Sequence, residues 1–228
     1  MDALPTCRTT RILEHALRML EARARAPGRL ADIPCGTGYL SVRAAQQGWE
    51  VFPFDLDPTV WQGGAVARAT AVDLNAPLDI EDDAFDALVC CEGLEHLENP
   101  WLALREFHRI VRTGGRVVIT LPNTIDVRQR LRVLRHGFYG HYLPKVVDHI
   151  NLLGTFGLCH ALLRSGFAID GIDSPNVYGG PVMRSLAALL RFGRRSQLPD
   201  AVRSMLSSPR VLCGRTVAVC ARVESGAR

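Results

Sequence analysis

The chain has 228 residues, of which 47% are hydrophobic and 22% are charged, the composition of an ordinary globular protein. No apolar run approaches the roughly 20 residues that cross a bilayer, and the first residues lack the basic start and apolar core of a secretory signal, so we expect a cytoplasmic protein. Seven irregularly spaced cysteines without a C-x-x-C pair argue against a disulfide framework and a zinc site.

Charge is distributed unevenly along the chain. Residues 1–125 carry a net charge of −5, whereas residues 126–228 carry +9, almost all of it from arginine. Arginine binds multivalent anions through several N–H groups at once. The basic second part therefore predicts either a solvated face or contact with an anionic acceptor or an acidic membrane surface.

Strand and helix patterns alternate along most of the chain. The first helix covers Thr10 to Ala26, and Pro27-Gly28 is expected to end it. The predicted strands are 30–34, 50–54, 69–72, 85–90, 116–121, 167–173 and 212–222. Further helices are predicted at 39–47, after Asp57-Pro58, at 99–111 and at 154–165. Such alternation is typical of a parallel sheet with helices on both faces. We expect one domain over residues 1–228, with acceptor-side insertions at about 123–150 and 174–211.

The segment 30–57 indicates a nucleoside-containing cofactor. A short strand is followed by Gly36 and Gly38, then by a helix, and then by a second strand that ends at Asp55. Glycines allow close approach of a ligand, the helix start offers free N–H groups, and the acid can bind a ribose diol. A dinucleotide oxidoreductase and an S-adenosylmethionine (SAM) methyltransferase both fit this pattern.

The wider series of motifs resembles the class I SAM-dependent methyltransferases, and most of all the bacterial ubiquinone-type O-methyltransferases. The motifs are D-I-P-C-G-T-G at 32–38, Asp55, Asp73-Leu74, FDALVCCEGLEHL at 85–97 and NPWLALREFHRIVRTGGRVVITLPN at 99–123. The resemblance implies a Rossmann-like, doubly wound α/β sheet of seven strands, mostly parallel with an antiparallel last strand. Two residues depart from the family pattern, namely Pro34 at a common glycine position and Thr113 at a common proline position.

The resemblance also implies which residues bind SAM. Asp32 is expected to anchor the methionine amino group, and the backbone around Cys35, Gly36 and Gly38 to line the amino-acid moiety. Asp55 is expected to bind the ribose hydroxyls, and Leu56, Asp73 and Leu74 are expected to contact the adenine ring. Cys91 and Glu92 are expected to face the sulfonium end of the cofactor.

Three histidines are candidates on the acceptor side. A hydroxyl acceptor benefits from a general base, and histidine suits that role at neutral pH. His96 follows the fourth strand, whereas His141 and His149 lie in the irregular segment after the fifth. A structural role is the alternative for each. No H-x-x-x-H or other metal pattern is visible in the sequence, so we expect no metal.

We predict a SAM-dependent methyltransferase that acts on a small-molecule or glycan-like acceptor, at oxygen. An anionic acceptor would suit the basic second part, and the stretch Val182–Arg195 could lie on a membrane surface or simply pack on its own domain. Nucleic acid is not expected because no RNA-binding module appears. The alternatives are an NAD(P)-dependent oxidoreductase and a non-catalytic SAM-binding subunit; the oligomeric state stays open.

Overall fold

The computed structural model describes residues 4, 7, 9–24, 26–137, 149–151, 153–178 and 198–225. The strands are β1 (Arg29–Asp32), β2 (Glu50–Asp55), β3 (Thr70–Ala71), β4 (Phe85–Cys91), β5 (Val111–Pro122), β6 (Phe167–Asp173) and β7 (Thr216–Val223). The helices are α1 (Thr10–Glu21), α2 (Tyr39–Gln46), α3 (Pro100–Ile110), α4 (Val127–His136), α5 (Gly154–Arg164), α6 (Asp200–Leu206) and α7 (Pro209–Leu212), with short 3₁₀ turns at Pro58–Val60 and Leu94–His96.

The seven strands form one sheet in the order β3-β2-β1-β4-β5-β7-β6. The pairs from β3 to β5 are parallel, and β7 runs antiparallel to both of its neighbours. The chain order reverses direction between β1 and β4, and ligands of such open sheets bind outside the carboxyl ends of the strands at that point. The fold expected from the sequence is confirmed.

Strand register brings the carboxyl ends of four parallel strands together. Asp32 at the end of β1 lies opposite Pro53 of β2 and Val89 of β4. Cys91 at the end of β4 lies opposite Thr120 of β5. The segments that follow these strands therefore meet at one edge of the sheet.

The core lies on both faces of the sheet. The larger cluster of buried apolar residues joins the sheet to α3 and α5, with Phe107 and Phe167 among its fully buried side chains. The smaller cluster joins the other face to α1 and α2, and includes Leu17 and Leu40. Two packed faces hold the strand ends in place from both sides.

Several predicted boundaries were wrong. Helix α1 ends at Glu21 rather than at Ala26. Just after this end, the Arg23 side chain donates to the Met19 carbonyl in the last turn (3.1 Å). Only a 3₁₀ turn follows Asp57, in place of the expected helix. The last strand begins at Thr216 rather than at residue 212. Ser208 and Pro209 start helix α7 immediately before it, because a serine cap and a proline in the first turn both favour a helix start.

The two expected insertions contain helices that the sequence pattern did not indicate. Helix α4 lies in the first, and α6 and α7 lie in the second. His141 and the basic stretch Val182–Arg195 lie outside the described residues. Among the residues that are described, no helix has the length and apolar character needed to span a membrane.

Candidate active site

The loop between β1 and α2 has the conformation of a ligand-binding glycine turn. Gly36 and Gly38 have φ values of +51° and +90°, which residues other than glycine rarely adopt. The Cys35 amide donates to the Phe54 carbonyl (2.8 Å), which ties the loop to the end of β2. The ring of Trp61 lies against Gly38, where an added Cβ would be 2.5 Å from a ring carbon. The loop therefore depends on glycine for both its φ values and its packing.

Asp55 connects this loop to the end of β2. One carboxylate oxygen accepts from the Gly36 amide (2.8 Å), and the other accepts from the Asp57 amide (3.1 Å). A carboxylate has about four acceptor positions, so these two bonds leave capacity for a diol. Asp55, the residue predicted to bind the ribose, is thus held at a defined position beside the glycine turn.

Asp32 has a different environment from that of Asp55. It is 2% exposed, and one of its oxygens accepts from the Ser41 hydroxyl on α2 (2.6 Å). Burial, with a smaller effect of the Asp55 charge, raises the pKa of Asp32 to about 7. A cationic group placed nearby would restore its charged form. This arrangement suits the expected contact with an ammonium group.

A cavity of about 220 Å³ opens next to Asp55. Four other predicted residues line it, namely Leu56, Asp73, Leu74 and His96. Leu56 is 73% exposed and Leu74 is buried, so the cavity has an apolar rim and an apolar wall. A larger cavity, about 480 Å³, lies at the opposite edge of the sheet near Gly28 and Asp86, away from every predicted site residue.

Pro34 packs against Gly93 in this cavity. A Cβ added at Gly93 would lie 2.6 Å from Cδ of Pro34, and both residues line the space. Gly93, which follows β4, thus leaves room for the ring of Pro34, which stands at a position where the family commonly has glycine. The proline ring forms part of the cavity wall and does not fill the space.

Cys91 is the last residue of β4 and Glu92 follows it, and neither lines the 220 Å³ cavity. Cys91 is buried in the smaller core cluster, beneath α1 and α2. Glu92 has a φ of +50°, and its carboxylate accepts from the Thr120 hydroxyl (3.0 Å). Burial raises the pKa of Glu92. Their expected contact with the sulfonium end stays a prediction.

The structure brings His96 and His149 together from distant parts of the chain. Their ring centroids are 5.0 Å apart and the rings are inclined by 74°. One possible ligand atom from each histidine and one from Glu95 all lie within 4.8 Å of one another. The third candidate, His141, falls outside the described residues.

Four residues that contribute to this region were missed in the sequence. Ser41 and Trp61 support Asp32 and the glycine turn, Asn75 lines the cavity and Glu95 lies beside the two histidines. Ser41 offers only a weak signal, since it stands at the third glycine position of a G-x-G-x-x-G pattern that begins at Gly36. Glu95 offered a weaker signal, since it stands between Leu94 and the candidate His96, but glutamate is ordinarily exposed.

The amino-acid sequence matches the model of a known protein family. Residues 8–171 match a family model described as "Methyltransferase domain". The chain belongs to this methyltransferase family. The recognition made from the sequence is confirmed, and the match favours a methyltransferase over the oxidoreductase alternative.

Curated relatives of this methyltransferase carry the name "Ubiquinone biosynthesis O-methyltransferase". The protein from Xanthomonas campestris pv. campestris (strain B100) is 30% identical over 145 residues, which cover 58% of this chain and 59% of that protein. The one from Xanthomonas euvesicatoria pv. vesicatoria (strain 85-10) is 29% identical over 148 residues, 60% of this chain and 59% of its own. The matched part thus spans somewhat more than half the length of these relatives.

Solved structures share the fold at low sequence identity. A putative methyltransferase in complex with the Haloferax volcanii Trm112 activator has a TM-score of 0.65 at 16% identity, over 96% of this chain and 91% of its own. Burkholderia thailandensis 1,6-didemethyltoxoflavin-N1-methyltransferase, solved with bound S-adenosylhomocysteine, has a TM-score of 0.58 at 15% identity. That match covers 93% of this chain and 78% of the Burkholderia chain. The [4+2]-cyclase SpnF has a TM-score of 0.62 at 18% identity, over 99% of this chain and 85% of its own. Because a cyclase shares the fold, the fold alone does not identify a reaction. The expected cofactor, SAM, follows from the family match, and these neighbours show that the fold is shared.

Proposed function

We propose that this protein transfers the methyl group of SAM to an oxygen atom of a small-molecule acceptor. The observation that carries the proposal is the arrangement at the carboxyl ends of β1 and β2. There the glycine turn, Asp32 and Asp55 converge beside a cavity lined by Leu56 and Leu74. This set offers a cation-binding acid, a diol-binding acid and an apolar wall for a purine.

The bound sulfonium would supply an activated methyl group. In the transfer, the acceptor oxygen forms a bond to the methyl carbon as the carbon–sulfur bond breaks, and the electron pair of that bond stays on sulfur. The protein mainly has to align the three atoms and exclude water. The hydroxyl proton must leave, and His96 and His149 are the described candidates to receive it.

Two findings support an oxygen acceptor with anionic character. The relatives named above are O-methyltransferases by name. Helix α4 begins just beyond the carboxyl end of β5, and the guanidinium of Arg128 lies 3.7 Å from the centre of the Tyr178 ring. Asp126 accepts from the Tyr178 hydroxyl and fixes this pair. An exposed arginine at this edge could bind an anionic group of the acceptor.

Calorimetric titration with SAM tests the cofactor site, and formation of S-adenosylhomocysteine with a panel of phenols and catechols tests the transfer. Binding of SAM without product from any acceptor would support a non-catalytic subunit. A fluorescence change with NAD(P)H in place of SAM binding would revive the oxidoreductase reading. A glycan-like acceptor, membrane contact, a cytoplasmic location and a single domain remain predictions.

A further inference from the structure

We propose that Glu95, His96 and His149 form a binding site for one divalent transition-metal ion. Spacing along the chain predicted no metal, because His149 is far from His96 in sequence. The ligand atoms of the three side chains nevertheless lie within 4.8 Å of one another. Ligands about 2.1 Å from a shared ion are roughly 3–4 Å apart, so small side-chain rotations suffice.

The Glu95 carboxylate provides an independent reason for an ion. Glu95 is only 3% exposed, and within the described part of the chain neither of its oxygens has a hydrogen-bond partner. A buried charge without a partner is costly. A bound cation would compensate for it, and the carboxylate of Glu92 nearby adds negative charge on the same side.

Backbone contacts hold the two halves of the site together. The Asn151 amide donates to the Glu95 carbonyl (3.0 Å), and the Asn151 side chain donates to the Leu97 carbonyl (3.3 Å). The Asn151 side chain also accepts from the Leu153 amide (2.8 Å). The segment that carries His149 is therefore attached directly to the turn that carries Glu95 and His96.

Two imidazoles and one carboxylate suit Zn²⁺, a borderline ion, better than Mg²⁺ or Mn²⁺, which prefer oxygen ligands. Three protein ligands leave at least one coordination position open. Because His96 also lines the 220 Å³ cavity, an ion at this place would stand beside the proposed cofactor site. The metal site itself does not depend on the proposed methyl transfer. In that transfer, a bound ion would take the place of the two histidines as the group that removes the hydroxyl proton, because a ring nitrogen that binds the ion has no lone pair left for a proton.

The test compares the wild type with E95Q, H96Q and H149Q after chelator treatment and dialysis. Zn²⁺ and Mn²⁺ are titrated separately by calorimetry, and metal content per chain is measured after gel filtration. We expect one ion per chain in the wild type and at least a tenfold loss of affinity, roughly, in each variant. H160Q is the matched control, since His160 is exposed on α5 beside Trp101 and outside the group of three; it should bind like the wild type.

The proposal is overturned if the wild type takes up no ion at millimolar concentration, or if all three variants bind as tightly as the control. Circular dichroism checks that each variant is folded, and the half-buried H149Q decides the matter if E95Q does not fold. A parallel SAM titration separates this site from the proposed function. SAM binding without metal uptake rejects only the metal site, and metal uptake without SAM binding rejects only the methyltransferase proposal.

Discussion

Two aspartates at neighbouring strand ends have different surroundings, and this difference suits them to different parts of one ligand. Asp55 accepts from two backbone amides at the rim of the cavity. Asp32 is buried and accepts from the Ser41 hydroxyl. We therefore expect Asp55 to bind neutral hydroxyl donors and Asp32 to bind a cation that compensates for its burial.

Replacement of Asp55 by alanine should weaken SAM binding by at least about 30-fold. The carboxylate would make two charge-assisted hydrogen bonds to a ribose diol, each worth roughly 1.5–3 kcal/mol, and it also holds the Gly36 amide. Calorimetry measures the effect. Asp79→Ala, at an exposed acid before β4, is the control and should bind SAM like the wild type. Equal affinity of the two variants would contradict the assignment.

The pKa of Asp32 predicts how SAM affinity depends on pH. Because that pKa is raised to about 7, Asp32 is neutral at lower pH, so we expect affinity to rise by up to about tenfold per unit as pH increases to 7 and to level off above it. Asp32→Asn should bind weakly and lose this dependence. Titrations between pH 5.5 and about 8.5 in buffers of different ionisation enthalpy test it, and an unchanged profile in the variant argues against the role.

The same shift predicts the pH dependence of stability without ligand. Between pH 4 and 7, roughly, the folded chain retains a proton on Asp32 that the unfolded chain has released, so the contribution to the free energy of unfolding falls as pH rises. Below that range the contribution is fully present. Urea unfolding should show wild type and Asp32→Asn diverging as pH rises toward 7. Parallel curves across the range would rule out a raised pKa.

At the scale of elements, the glycine turn is held by packing as well as by its φ values. Trp61 follows the 3₁₀ turn after β2 and lies against Gly38 and Gly63. The Gln62 amide donates to the Thr37 carbonyl (3.0 Å), which joins the same two segments. Segments after β1 and β2 therefore support each other, and the shape of the cofactor site depends on both.

Gly38→Ala should destabilise the fold more than Gly114→Ala. Both glycines have positive φ values, +90° and +81°, so both substitutions carry the cost of about 1–3 kcal/mol for such a conformation. Among the described residues, the Trp61 side chain would meet the new Cβ at Gly38, whereas nothing lies within 4 Å of a Cβ added at Gly114. We expect at least about 1 kcal/mol of additional loss in urea unfolding.

A second background separates the two contributions at Gly38. In a Trp61→Ala protein the ring that meets the new Cβ is gone, so Gly38→Ala should cost about as much as Gly114→Ala does. Trp61→Ala alone provides the reference for that comparison. If the excess cost persists without the ring, close packing is not its cause.

At the scale of the whole molecule, Asn123 joins three separate segments at the end of β5. Its side-chain amide donates to the Val211 and Gly214 carbonyls (2.7 Å each). Its oxygen accepts from the Thr155 hydroxyl (2.9 Å) and the Ile125 amide (3.1 Å). Asn123 is fully buried, so one buried side chain contributes contacts to β5, α5 and the segment before β7.

Asn123→Ala should lower the free energy of unfolding by about 2–5 kcal/mol, because several buried backbone groups lose their partners together. Asn75→Ala is the comparison. Its oxygen accepts from the Glu98 and Asn99 amides (2.9 and 3.2 Å), but at an exposed position where water can replace it, so a loss near 1 kcal/mol is expected. Similar losses in urea unfolding of the two variants would show that burial does not decide the cost.

Local patterns in the sequence were sufficient where neighbouring residues determine the structure. Strands β1, β4 and β6 were predicted nearly to their observed ends, because short apolar runs bounded by glycine or acid have few alternatives. The helix expected after Pro58 failed, since a cap and a proline favour a first turn but no apolar periodicity continues it. Helix α4 was missed because it is rich in arginine and only two of its residues, Val127 and Gln129, are buried.

What the sequence determined by itself is the cofactor-binding half: a strand, a glycine turn, a helix and a second strand ending in an acid are all encoded within one short segment. Only the tertiary structure decided what surrounds it. Ser41 on Asp32, Trp61 on Gly38 and the meeting of Glu95, His96 and His149 are contacts between side chains whose distances depend on how the sheet and its loops pack. Periodicity and spacing describe neighbours along the chain, whereas these contacts arise from elements that meet only after the chain has folded.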